Sequence, residues 1–170
     1  MTRTLLVIDV QNEYFPGGAL PLWQPKEAEA RIVTAIGQAR AAGDKVVLVQ
    51  HVGKADARLF AAGSPGAAIR PAILAAAGDA PIVTKQFADA FQDTELVSHL
   101  ADTKVLLIAG MMTQNCVVFT ALSRAADDLR IAVIGELCTA PVEVVHAIAL
   151  NALSSKGLVV SAKETWPTSD

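Results

Sequence analysis

Apolar residues along this chain come in short unbroken runs, and stretches with helical spacing separate them. Thr4–Ile8, Lys45–Gln50, Pro81–Thr84, Lys104–Ala109, Ile131–Ile134 and Leu158–Ser161 have the length and content of strands buried on both faces. Between the first two, Ala28, Ile32, Ala35, Ile36 and Ala39 repeat with helical spacing, predicting a helix over Pro25–Ala42. Pro25 suits its first turn and Gly43 stops it. Further helices are predicted over about Pro71–Ala77, from Asp93 or Thr94 to Leu100, over Thr113–Asp127 and over Pro141–Lys156. Residues 11–24 read as a loop punctuated by Pro16-Gly17-Gly18 and Pro21. Residues 53–80 read as a long crossover, either a pocket wall or a plain surface connection. Strands alternating with helices argue an α/β fold, a parallel sheet with helices on both faces.

Composition narrows the picture. The chain has 170 residues, 52% hydrophobic and 18% charged, so residues 1–170 read as one domain with material for a covered sheet. A net charge of −3 without a basic block excludes nucleic acid and anionic membranes as expected partners. Two cysteines, Cys116 and Cys138, make no disulfide framework. The chain enters its first strand-like run at Leu5 without a signal segment, so a cytoplasmic location is expected.

Three reactive side chains follow strands. Asp9 comes after the first, Lys85 after the third and Cys116 after the fourth. All strands of a parallel sheet end on the same edge, where ligands bind at the point of reversed strand order. A carboxylate, an ammonium and a thiol could therefore share a crevice. Cys116 at the first turn of a helix would feel free N–H groups and the positive helix end, both of which lower a thiol pKa. The alternative is a buried cysteine packing as a small hydrophobe. Together the three groups suit nucleophilic hydrolysis. Asp9 would take the thiol proton, Lys85 would support both anions, and N–H groups of the Met112–Cys116 turn would face the oxyanion.

The same residues resemble the isochorismatase-like cysteine hydrolases, a superfamily that includes nicotinamidases. Leu5 to Phe15, with Asp9 followed by Gln11 and Phe15, is similar to the family's first strand, and Pro16-Gly17-Gly18-Ala19-Leu20-Pro21 to its next loop. Thr84-Lys85 resembles the lysine segment, and Gly110-Met111-Met112-Thr113-Gln114-Asn115-Cys116-Val117 the nucleophile motif. The resemblance implies a Rossmann-like three-layer sandwich with a six-stranded, mostly parallel sheet. It implies Asp9, Lys85 and Cys116 as the catalytic triad and a cis peptide between Met111 and Met112. It also implies backbone oxyanion donors at Met112 and Cys116, and a homodimer or homotetramer. Nicotinamidases carry an Asp-x-His metal motif where this chain has Val49-Gln50-His51, so neither metal nor cofactor is expected, and His51 reads as structural. His99 and His146 fall on helices placed elsewhere.

Gln11, Phe15, Phe60 and Phe87 are candidates for contact with a small-molecule substrate, although the aromatics could equally be core or subunit contacts. Gln11 could instead orient Asp9 or Lys85, or close a turn. Cys138 reads as packing, and Trp166 as a residue folded over a neighbouring subunit. The functional expectation is a metal-independent amidase acting through a thioester. Vinyl-ether hydrolysis with Asp9 as proton donor and a non-catalytic binding or thiol-sensing protein are the alternatives.

Overall fold

A computed structural model describes residues 1–167. Six strands form one parallel sheet: β1 (Arg3–Ile8), β2 (Lys45–His51), β3 (Ile82–Lys85), β4 (Val105–Met111), β5 (Arg130–Thr139) and β6 (Val159–Val160). Their order is β3-β2-β1-β4-β5-β6. The order reverses between β1 and β4, which makes their C-terminal ends the crevice of the fold. Every residue of β4 is buried, as its unbroken apolar run requires of a central strand.

Side-chain alternation along β1 feeds two cores. Leu5 and Val7 face the layer holding Ile32 and Ile36 of α1 (Pro25–Ala41). Leu6 and Ile8 face the opposite layer, with Leu96, Val117 and Leu153. The helices of that second layer are α3 (Leu96–His99), α4 (Val118–Ala121) and α5 (Glu143–Ser154); α2 (Pro71–Ala77) packs beside α1, and α6 (Ala162–Thr165) closes the chain against β5.

Three elements depart from the sequence reading. The helix expected over Thr113–Asp127 is broken into a π-helical turn at Thr113–Val117, then α4, then a 3-10 turn at Arg124–Ala126. Ser123 is extended and its hydroxyl accepts the Ala125 N–H, a local bond that competes with helix continuation. β5 runs on to Thr139, and Cys138 and Thr139 pair with Gly110 and Met111 across an irregularity in the ladder. Trp166 packs into its own chain, where its indole N–H donates to Asp44 at 2.8 Å, rather than over a neighbour.

Gly110 decides how closely the crevice can shut. It pairs with Ile8, and a Cβ there would collide with the Ile8 backbone, 2.6 Å from its nitrogen. Its φ of +124° is also closed to ordinary side chains. Glycine thus brings the end of β4 against the end of β1, one residue before Asp9.

Candidate active site

Asp9 leaves β1 with φ +52°, a left-handed conformation that aspartate tolerates better than most residues. Its N–H donates to Val49 O at 3.0 Å, which turns the chain off the sheet edge. Lys85 ends β3, two strands away across β2, a span of roughly 10 Å. Only a long side chain bridges that distance, and it passes over His51, its register partner on β2. The Lys85 ammonium lies 2.8 Å from Asp9 Oδ2, 2.9 Å from Phe87 O, 3.1 Å from His51 Nδ1 and 3.3 Å from Cys116 Sγ. The peptide between Met111 and Met112 is cis, and Cys116 follows in the π-helical turn. The three expected catalytic side chains thus meet, with Asp9 fully buried, Lys85 1% exposed and Cys116 3% exposed.

Burial sets the charge states. It pushes the Cys116 thiol up to about 12, the Asp9 charge adds to this, and Lys85 only partly opposes it. This corrects the expectation of a lowered thiol pKa: desolvation and a neighbouring carboxylate outweigh a turn too short to present a strong helix end. The resting sulfur is a thiol. Burial works against the Lys85 ammonium, yet Asp9 and then Cys116 raise its pKa, so it stays charged. His51 is lowered by burial and by repulsion from Lys85. Because an ammonium only donates, Nδ1 of His51 accepts, and the ring carries its proton on Nε2. Asp9 Oδ1 is buried and makes no hydrogen bond among the described residues.

The other candidates sort differently. Gln11 is fully buried, and both ends of its amide are used: Nε2 donates to His51 O and Ala67 O, and Oε1 accepts from His51 N. It is a clamp between β1 and β2 with no group left for substrate. Phe15 is buried in the core beneath the Arg70 guanidinium, 4.2 Å from its ring. Tyr14, the last residue of the 3-10 turn Asn12–Tyr14, lies close enough to Asp9 and Cys116 to feel both charges. Burial, then the charges of Asp9 and Cys116, raise the Tyr14 pKa, so its hydroxyl stays protonated. Phe60 packs on Tyr14 at 5.1 Å and on His51 at 5.2 Å. Phe87 contributes its carbonyl to Lys85 while its side chain stays exposed. His146 is not remote: its Nδ1 lies 2.8 Å from the hydroxyl of Thr113, the residue that opens the nucleophile turn.

The model of the isochorismatase domain matches residues 3–165. The chain belongs to the isochorismatase family. The isochorismatase family protein YddQ of Bacillus subtilis (strain 168) is 29% identical over 98% of this chain and 99% of its own length. Two crystal structures attributed to the same family, from Oleispira antarctica and Burkholderia xenovorans LB400, are 35% and 34% identical, each with a TM-score of 0.87. They align with 98% and 96% of this chain and with 97% and 85% of their own.

A metal is the remaining question for an isochorismatase-family site. Asp9, His51 and Cys116 each offer a ligand atom, all within 4.8 Å of one another. The Lys85 ammonium, however, contacts all three residues at 2.8–3.3 Å. A divalent ion there would sit against a fixed positive charge, so this donor set does not fit a metal.

Proposed function

We propose that this isochorismatase-family hydrolase cleaves the C–N bond of a small uncharged amide through a thioester on Cys116, without a metal. The observation that carries the reading is the shared ammonium: Lys85 touches both Asp9 and Cys116, while Asp9 keeps one buried oxygen unpaired. A neutral thiol needs a base at the moment of attack, and Asp9 is within reach. In the proposed sequence the sulfur bonds to the carbonyl carbon as its proton passes to Asp9. The Met112 and Cys116 N–H groups hold the oxyanion; those of Asn115 and Val117 already donate to Met112 O. Asp9 then protonates the leaving nitrogen, and the C–N bond breaks. Water, deprotonated by Asp9, cleaves the thioester, releasing a carboxylic acid and restoring the thiol.

Charge balance supports an uncharged substrate. Lys85, the cation that touches Cys116, is matched by Asp9. The same proposal includes a cytoplasmic homo-oligomer; exposed Phe119, Leu122, Val144 and Ile148 supply apolar surface for it. No described helix is long and apolar enough to cross a membrane. The test is a panel of small amides, ureides and vinyl ethers, run with Cys116→Ala and Asp9→Ala. Amide turnover lost in both variants is expected. Turnover that survives Cys116→Ala but not Asp9→Ala would replace the thioester with Asp9-driven vinyl-ether chemistry, and absence of any turnover would favour a binding or thiol-sensing role.

A further inference from the structure

His51 has a position that a purely structural histidine would not need. It ends β2 between Asp9 and Lys85, and a ligand atom of its ring lies within 4.8 Å of both the Asp9 carboxylate and Cys116 Sγ. Asp9, Lys85 and Cys116 are almost sealed, whereas His51 is only half-buried. His51 is thus the most open of the four side chains gathered at this point. The ring is also held on two sides. Lys85 fixes Nδ1 as acceptor, Phe60 supports the ring, and Gln11 pins the backbone on both its N–H and C=O. Its remaining polar group, the Nε2–H, has no partner among the described residues.

We infer that His51 is a substrate-binding residue, whose Nε2–H donates to an uncharged acceptor one or two atoms from the scissile carbonyl. The inference rests on the thioester reading above and adds a specificity element to it. The preferred substrate class is a small neutral amide with a flanking carbonyl, ether or ring-nitrogen acceptor, lying against Phe60 and Tyr14. A donor that is neutral, because burial and Lys85 disfavour the imidazolium, suits a neutral acceptor better than a carboxylate. A site built around a donor discriminates strongly against analogues that leave it unpaired.

Aldehydes test this without knowledge of the natural substrate. The Cys116 thiol adds across the C=O: a C–S bond forms, the thiol proton ends on oxygen, and nothing is oxidised. Dissociation constants of the thiohemiacetals would be measured by calorimetry for butanal against methoxyacetaldehyde, and pentanal against 3-methoxypropanal. Each pair exchanges a CH₂ for an ether oxygen. The enzymes are wild type, His51→Phe, which keeps a ring without the donor, and His51→Gln, which restores an N–H near Nε2. Intrinsic electrophilicity cancels when the ratios are compared between enzymes. The expected result is a preference for at least one ether that drops tenfold or more in His51→Phe and returns at least in part in His51→Gln. A preference unchanged in His51→Phe, or loss of affinity equal for both members of each pair, would overturn the role of His51 and leave the thioester standing. Failure of every aldehyde to add to Cys116, read as absence of a thiohemiacetal carbon signal in the 13C NMR spectrum of wild type with aldehydes 13C-labelled at the carbonyl carbon, with Cys116→Ala as the blank, would overturn both.

Discussion

β1 carries an ion pair at each end, and the two are built to opposite rules. At its start, Arg3 grips Asp44 with two parallel hydrogen bonds of 2.7 Å, Trp166 donates to the same carboxylate, and Arg3 also reaches Thr165 O. That pair is partly open to water and its acceptors are filled. At its other end, Asp9 and Lys85 are sealed from water, joined by a single contact, and one carboxylate oxygen is left over. A pair that only holds the fold gains from saturating every lone pair. A pair that must move a proton needs an acceptor kept open, and it bears the desolvation cost of doing so.

Removing the proposed nucleophile or the proposed base should have the largest effect. Cys116→Ala is expected to lower turnover by about 10⁴-fold or more, and Asp9→Asn by roughly 10²–10⁴-fold, in steady-state assays of the best amide. Comparable losses from Arg3→Met would erase the distinction between the two pairs. Next comes stability. Lys85→Met leaves Asp9 as a buried, unmatched carboxylate and should cost about 3–5 kcal/mol in urea denaturation. Asp44→Asn, where Arg3 can turn to water, should cost about 1–3 kcal/mol with turnover unchanged. Trp166→Phe removes one hydrogen bond to Asp44 and should cost about 1 kcal/mol.

The smallest effect is in the pH dependence of stability. His51 has its folded pKa below the ordinary 6.5, so on acidification the unfolded chain takes up the proton first. Its contribution is complete above pH 6.5 and is lost as pH falls from there through the folded value. Denaturation midpoints between pH 7 and pH 5 should therefore fall less steeply in His51→Gln than in wild type; identical slopes would contradict the assignment.

Much of this was legible in the sequence for a physical reason. The central strands are continuous apolar runs, and a parallel sheet sends every strand end to one edge, so Asp9, Lys85 and Cys116 could be brought together on paper. What escaped depended on contacts across the fold. The extension of β5 through Gly135 and Glu136 follows from pairing with Gly110, and no local pattern marks it. His51 reads as structural in the absence of metal-motif companions, and its place beside the path of Lys85 comes from the strand order and the register of β2 with β3. The nearness of Tyr14 to Asp9 and Cys116 depends on the 3-10 turn that follows Asp9, which no local pattern marks. The thiol pKa went the wrong way because a helix-end argument ignores burial. That reversal is measurable: iodoacetamide alkylation of Cys116 should still be rising at pH 10, with no plateau near the ordinary thiol value of about 8.5.

The most direct test of the whole account is acid-quenched intact-mass analysis during turnover of the best amide, with peptide mapping. The account predicts an added acyl mass located on Cys116, formed by wild type and absent from Cys116→Ala. Continued hydrolysis by Cys116→Ala, or turnover in which the acyl group maps to another residue, would contradict it.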